Sequence, residues 1–489
     1  MAANSKHFML LKAKKYFLKS QNGGILIITL LFTTVFVIIG GGLLSLIVQQ
    51  QKLYRVQKAK AQALHVAEAG LNYYRWILAH NPNDYADGTG ETGCNPCGPY
   101  IHDITDIGQF SLEITPPQTG STVVKIKSTG TIDEQPNASR AVVARYGIPS
   151  LARYSFLTNN NVWFGQNETV VGPMHSNGGI RMDGSNNSIL TSAQETYTCW
   201  PEHGCSSGGQ TKPGIWGTGG GYALWQFPET NVDFNAISAD LADIKEMAED
   251  GGICIGGGGP DCSTGGTSNI GFQITFLSDG TFNLYRITQL KSCLWQLNES
   301  WQSWQCIAEE IQNKTAVGNF SMPGNGIIFV EGNLWVDGVV SGKITVAAAK
   351  LPGNPNTYKN IRINGDLTYA ARDSNNSLGL IAQNNIWVPR YAPTDLTIDG
   401  VLVAQNGRVA RNYYSSHRIT ERIENYGSIV TNKVWTWTWV TGLGTVVDGY
   451  QNTVFIYDPN LKFGPPPSFP TSGEYEFISW EEIMPGESY

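Results

Sequence analysis

Between Gly24 and Val48 the chain reads GILIITLLFTTVFVIIGGGLLSLIV, twenty-five residues without a charge. A helix rises about 1.5 Å per residue, and roughly 20 apolar residues cross the hydrocarbon of a bilayer. The stretch therefore predicts a membrane-spanning helix. From Gln49 the pattern changes without breaking. Residues 49–80 hold one glycine, Gly70, and no proline. Leu53, Val56, Ala63, Val66, Ala67, Leu71, Tyr74 and Leu78 recur at three- and four-residue spacing. That period predicts an amphipathic helix continuing the span. Residues 24–80 then form one rod of about 85 Å, with Pro82 just past its end.

Beyond the helix the period falls to two. Residues 81–100 read as a polar loop closed by Cys94 and Cys97. From Gly108 to Tyr146, Phe110/Leu112/Ile114, Val123/Lys125/Lys127, Ile132 and Ala141/Val143/Arg145 alternate with polar neighbours, broken at Pro116-Pro117, Gly120 and Gly130. This predicts a small antiparallel meander within 81–150. From Tyr154 onward, β runs of three to five residues alternate with Asn-Gly, Asp-Gly or Glu-Gly at irregular intervals. Such repetition predicts a right-handed parallel β-solenoid over 151–198 and 321–489, with a β-sandwich as the alternative. Val, Ile and Leu would stack inside, with Asn and Gly at corners needing positive φ.

Residues 199–320 interrupt this texture and read as a Cys-rich insertion. It contains one helical pattern, 232–250, with Phe234, Ile237, Leu241, Ile244 and Met247 on one face and Asn231 or Asp233 as cap. It also contains a hairpin over 272–287 with Asp279-Gly280 at the turn. The fold class is thus mainly β with a long N-terminal α-helix.

Charge sharpens the membrane reading. Residues 1–60 carry nine of the 33 Lys/Arg and no acid, so the rest carries 24 basic against 40 acidic residues, a net of −16. A basic leader, 1–23, ahead of an apolar span predicts a cytoplasmic N-terminus and an extracytoplasmic C-terminal part. The acidic remainder argues against nucleic acid as a partner. The apolar run is longer than a signal-peptide core, and QQQKLYRVQ rather than a small-residue cleavage site follows it, so the segment reads as a retained anchor.

The eight cysteines fall as four close pairs: Cys94/Cys97, Cys199/Cys205, Cys254/Cys262 and Cys293/Cys306. On an outward-facing protein this predicts four disulfide staples. Zinc is the competing reading of Cys94-x-x-Cys97, but no second CxxC and no histidine cluster accompanies it.

Candidate chemistry is sparse. There is no GxSxG, Walker loop or HExxH, so the chain reads as a non-enzyme. The glycine run 256–259 follows no strand-to-helix pattern. His175 could pair with Asp183 as a base, against the plainer reading of a hydrogen-bonded turn histidine. Glu309-Glu310 and Glu481-Glu482 read as solvated runs. Asp183, Asp337, Asp366 and Asp399 sit beside turn residues, a weak pattern for calcium, and no cofactor is implied. Trp435, Trp437 and Trp439 in KVWTWTWV share one face of a predicted strand, as do core ladders and sugar-binding platforms. Trp295, Trp301 and Trp304 pose the same choice.

The basic leader, Gly24, the apolar half-helix and the amphipathic half ending near Ala67-Glu68-Ala69-Gly70 resemble the N-terminus of PilX-type minor pilins of type IV pilus systems. The resemblance covers about 60 residues. Thr29 stands where a major pilin would carry Glu, a departure shared by some minor, tip-located subunits. Residues 172–184, 379–388, 397–407 and 455–470 resemble a β-helical domain of unknown function that accompanies such N-termini in bacterial surface proteins. The resemblance implies a structural subunit of a pilus-like assembly at the cell surface, with the membrane and other pilin-type subunits as partners. The alternatives are an anchored adhesin with a glycan or surface ligand and, lower, a polysaccharide-active β-helix enzyme.

Overall fold

The computed structural model describes residues 24–234, 241–257, 259–262, 270–298, 302–441 and 444–484. The basic leader lies outside the described residues.

Helix α1, Gly24–His80, runs 57 residues unbroken. Its first half touches nothing: the large apolar side chains from Ile25 to Val48 are exposed, Phe36 by 79%. Burial starts at Ala59 and continues through Ala63, Val66, Ala67, Gly70, Leu71, Tyr74 and Leu78. Leu53 and Val56, which the spacing puts on the packing face, are exposed instead, because burial along the helix begins only at Ala59.

That packing partner is an antiparallel meander of β1 (Cys97–Ile104), β2 (Gly108–Thr115), β3 (Val123–Ile132) and β4 (Arg140–Gly147). β1 occupies the end of the run read as a polar loop. In β3 the inward set is Val124, Ile126, Ser128, Gly130 and Ile132, so Val123, Lys125 and Lys127 face away. Two glycines set how closely helix and sheet approach. A Cβ on Gly130 would stand 2.1 Å from the Ala63 carbonyl oxygen and 2.5 Å from the Ala67 nitrogen. A Cβ on Gly70 would stand 2.3 Å from Ser128 Oγ and 2.8 Å from the Phe110 ring. The Ala-Glu-Ala-Gly motif is therefore a small-residue seat for the sheet.

The fifth strand of this sheet, Glu476–Ile483, comes from the far end of the chain and pairs antiparallel with β4. Alternation alone placed these residues with the second domain. Glu481 and Glu482 are not a free solvated pair: they meet Arg145 at 2.7 Å and Arg140 at 2.8 Å. Pairs this exposed contribute about 0–1 kcal/mol each, and the backbone ladder is what holds the strand.

The larger sheet system is built from parallel ladders. One joins Ile253–Ile255, Ile327–Val330, Lys343–Ala348, Ser377–Ala382, the end of Asp395–Ala404, the end of Ile419–Thr431, Phe156–Thr158, Met174–Ser176 and Leu190–Ser192. A second joins Gly271–Leu277, Leu334–Val340, Ile361–Tyr369, Ile386–Trp387 and Val409–Ala410. A third runs through Ile361–Tyr369, Asp395–Ala404, Ile419–Thr431, Val446–Tyr457, Glu168–Val171 and Ser185–Asn186.

The stacking order is not the chain order. The segment from Phe156 continues the ladder past Thr431. Ile253–Ile255 and Gly271–Leu277 lie within the ladders, although they were read as part of a decorating insertion.

Both faces of the first ladder are buried, which explains its unbroken apolar runs. Ile328, Val346, Leu380, Leu402, Ile429 and Phe156 point into the main core. Ile327, Phe329, Ala347, Ile381, Val403 and Val430 point the other way, into a second layer. Helix α2, Leu241–Glu249, covers that layer with Leu241, Ile244 and Ala248. The predicted helix 232–250 is shortened: 232–234 are not helical, and 235–240 lie outside the described residues. The hairpin is present, Gly271–Leu277 against Thr281–Leu290 around Asp279-Gly280.

The corner asparagines work differently from the expectation. Among the described residues only Asp87, Asp106 and Ser468 are non-glycine positions with positive φ. The asparagines instead stack: Asn333 Oδ1 accepts from the Asn360 N–H at 3.0 Å, Asn360 Oδ1 from the Asn385 N–H at 3.1 Å, and Asn385 Oδ1 from the Arg408 N–H at 2.9 Å. Each side chain satisfies a backbone donor of the next layer, which a turn would otherwise leave open.

Candidate functional site

Two surfaces are candidates for function, the free half of α1 and a groove on the β domain. From Gly24 to Val48 no charge interrupts the helix. Its threonine side chains return to its own backbone: Thr29 Oγ1 donates to the Ile25 carbonyl at 2.8 Å and Thr34 Oγ1 to the Leu30 carbonyl at 2.9 Å. A helix whose backbone bonds and threonine hydroxyls are closed on itself in this way can face lipid or other helices.

All four cysteine pairs, Cys94–Cys97, Cys199–Cys205, Cys254–Cys262 and Cys293–Cys306, are bonded in the structure. The Cys293–Cys306 bond closes a two-stranded ribbon, Leu294–Leu297 against Trp304–Ile307, that exposes Trp295 and Trp304. Trp301 lies outside the described residues.

The tryptophan trio separates. Trp437 is fully buried and Trp435 is 4% exposed, whereas Trp439 is half-buried. Only Thr438–Val440 is a strand, so the eight-residue strand implied by the alternation is not formed. Trp437 stacks on Phe455 with ring centres 5.6 Å apart and meets Trp435 edge-on at 5.6 Å. Trp435 packs on Phe164 at 5.6 Å and Phe156 at 5.5 Å. These two are core rings, not a surface platform. Two chain segments converge on them, and burying indole area outweighs presenting it.

Trp439 faces a groove of about 570 Å³ formed with residues of the Val162–Phe164 and Ile180–Met182 strands. Trp163 and Arg181 line it, the guanidinium lying 4.2 Å from the Trp163 ring centre and 4.9 Å from that of Trp216. Asp183 holds the arrangement. Its Oδ2 accepts from Arg181 Nε at 2.7 Å and Trp163 Nε1 at 2.9 Å, and its Oδ1 accepts from the Thr218 N–H at 2.9 Å.

Glu168 lies under the groove, accepting the Gly165 N–H at 2.7 Å, and burial pushes its carboxyl up to about 8. His203 also lines the groove; burial lowers its imidazole below the usual range, which leaves it neutral. Trp439 is fixed from behind: its Nε1 donates to the Arg411 carbonyl at 3.0 Å, and Arg411 is paired with the buried Asp448 at 3.0 Å. Asp448 also accepts the N–H groups of Tyr414, Arg418 and Gly449.

The other sequence candidates fall elsewhere. His175 does not meet Asp183; it bonds Thr191 Oγ1 at 2.8 Å and Asn177 Oδ1 at 3.1 Å inside a short strand. Asp399 takes Arg372 and the Tyr369 N–H, Asp337 takes Gln273, and Asp366 takes the Thr397 N–H. Glu309 is not solvated: it is 4% exposed and accepts from the Tyr414 hydroxyl at 2.8 Å, with burial raising its carboxyl. Sequence reasoning passed over Trp163, Arg181, Gln166 and Asn167. The available signal was the 18-residue offset between VWF and IRM, which become paired strands one layer apart.

No protein-family model matches this chain, and no curated protein matches it. Among solved structures, the competence-associated pilin ComZ from Thermus thermophilus aligns over 87% of this chain and 97% of its own, at 13% identity and a TM-score of 0.29.

Proposed function

We propose that this chain is a non-enzymatic, pilin-like structural subunit of a type IV pilus-like assembly, related to PilX-type minor pilins. It crosses the membrane once through Gly24–Val48, N-terminus inside. It displays a stapled β domain outside the cell, in which the three parallel ladders form the faces of a right-handed β-solenoid. The observation that carries this reading is the division of labour along α1: a bare apolar half continuous with a half seated on the meander through Ala63, Ala67, Gly70 and Gly130. The bare half is free to exchange lipid for neighbouring helices, and the seated half carries the displayed domain with it. The inward apolar columns and the asparagine stack support the solenoid.

Capture of the full chain from solubilised membranes should recover other pilin-type subunits. Recovery of none, together with unchanged surface filaments on deletion, overturns the assembly role. Mass analysis of the mature N-terminus gives the second readout. A new terminus at Gly24 or Ile25 supports processing as a pilin, and an intact Met1 favours a static anchor. The aromatic groove favours a second role beside the structural one, recognition of a ligand at the surface.

A further inference from the structure

The groove has a composition that selects one chemistry. Its volume, about 570 Å³, falls in the range of roughly 300–1,000 Å³ typical of ligand pockets. Its charges nearly cancel: Arg181 is paired with Asp183 at 2.7 Å, and among the described lining residues Glu202 alone adds an uncompensated charge. A polyanion would need a basic lining, and this one has none to spare.

What remains is aromatic surface and neutral hydrogen-bonding groups. Trp163 and Trp439 supply the rings. The side-chain amides of Gln166, Asn167 and Gln451 line the groove, and no intramolecular partner engages them among the described residues. All three are exposed. Each amide offers two donors and an acceptor, the pattern that pairs with vicinal hydroxyls. The apolar CH faces of pyranose rings stack on flat aromatic rings, and hydroxyls around their rims need such amides.

The aromatic surface also continues beyond the groove. Tyr413 lies 5.3 Å from Trp439, and Trp304, on the stapled ribbon, lies 5.9 Å from Tyr413. A track of this kind suits a polymer better than a single sugar.

We propose that the groove binds an uncharged oligosaccharide, with Trp163 and Trp439 stacking on pyranose faces, Gln166, Asn167 and Gln451 bonding hydroxyls, and Tyr413 and Trp304 extending the site along the chain. The protonated state of Glu168 at neutral pH keeps the floor uncharged, in keeping with a neutral ligand. This role does not depend on how the subunit assembles: a chain that recovers no other pilin subunits can still bind, and the reverse.

The test uses the full chain in lipid nanodiscs, free of glycosidic detergents. It is titrated by calorimetry with hexasaccharides of β-1,4-glucose, α-1,4-glucose and β-1,4-N-acetylglucosamine, and with hexagalacturonate and an uncharged hexapeptide as competitors. At least one uncharged hexasaccharide should bind with a Kd of about 1 mM or tighter. The double substitution Gln166→Ala/Gln451→Ala alters exposed side chains only; it should weaken binding by about 10-fold with no change in melting point. Trp439→Ala should weaken it further, and Trp295→Ala, outside the groove, should leave it unchanged. Absence of binding by all three uncharged sugars overturns the proposal, as does binding indifferent to the Gln166/Gln451 change. Tighter binding of hexagalacturonate or the peptide overturns it equally.

Discussion

Replacing Trp437 tests the core assignment most sharply. The side chain is fully buried between Phe455 and Trp435, and its Nε1 has no hydrogen-bond partner among the described residues. An indole buries about 150–250 Å², worth roughly 4–6 kcal/mol at about 25 cal/mol per Å². The unpartnered N–H offsets about 1–3 kcal/mol of that. The transfer balance alone is then about 1–5 kcal/mol, and the cavity left behind adds to it, so the expected loss for Trp437→Ala is about 3–5 kcal/mol.

Trp437→Phe makes the reasoning specific. It keeps most of the apolar area and removes the orphan donor, so its cost should stay below about 1.5 kcal/mol. Urea unfolding of the detergent-solubilised chain, followed by far-UV circular dichroism, measures both. A loss under about 1 kcal/mol for Trp437→Ala would mean the ring is not enclosed. Equal losses for Ala and Phe would mean that the N–H is bonded and that the burial account is wrong.

Other outcomes follow from single contacts. Gly130→Ala places a methyl against the Ala63 carbonyl and should cost about 1–3 kcal/mol in the same assay, whereas Gly208→Ala, with open space at its Cβ, should change stability by no more than about 0.5 kcal/mol. Removing Arg411 by Arg411→Ala leaves Asp448 buried without its counter-charge and should cost about 3–5 kcal/mol. The Glu168 carboxyl is raised from 4.5 unfolded to about 8 folded, so the folded state holds the extra proton between these values. Stability should therefore fall as pH rises through that window, by up to about 1.4 kcal/mol per unit; Glu168→Gln should flatten the slope, and a slope unchanged in the variant refutes the assignment. Phe36→Asp puts a carboxylate in the middle of the apolar half and should cost about 2.5–3.5 kcal/mol of insertion, read as a shift from the alkaline-resistant membrane fraction to the soluble one.

Helix α1 was legible in the sequence from Gly24 to His80, because its signals, an unbroken apolar run followed by a helical period, are both local. The four disulfide pairs were legible for the same reason: each partner is near in sequence, so few alternatives compete. The hairpin at Asp279-Gly280 is likewise a local turn preference. The groove was not legible. Trp163, Arg181 and Trp439 are separated by up to hundreds of residues, and nothing in their own neighbourhoods marks them as joint. The trio Trp435, Trp437 and Trp439 looked uniform by spacing, yet the chain leaves strand geometry around it and sends two rings inward.

What the chain by itself determined is the membrane-length helix, the β character of the rest and the cysteine staples, all set by periods and pairings within a few turns of backbone. Only the tertiary structure decided that Phe156 stacks beyond Thr431, that Glu476–Ile483 returns to close the meander, and which tryptophans are buried. Parallel ladders join segments through hydrogen bonds that carry no sequence code for their partner. Their order is chosen by which apolar faces can be enclosed together, and that is a property of the whole assembled core.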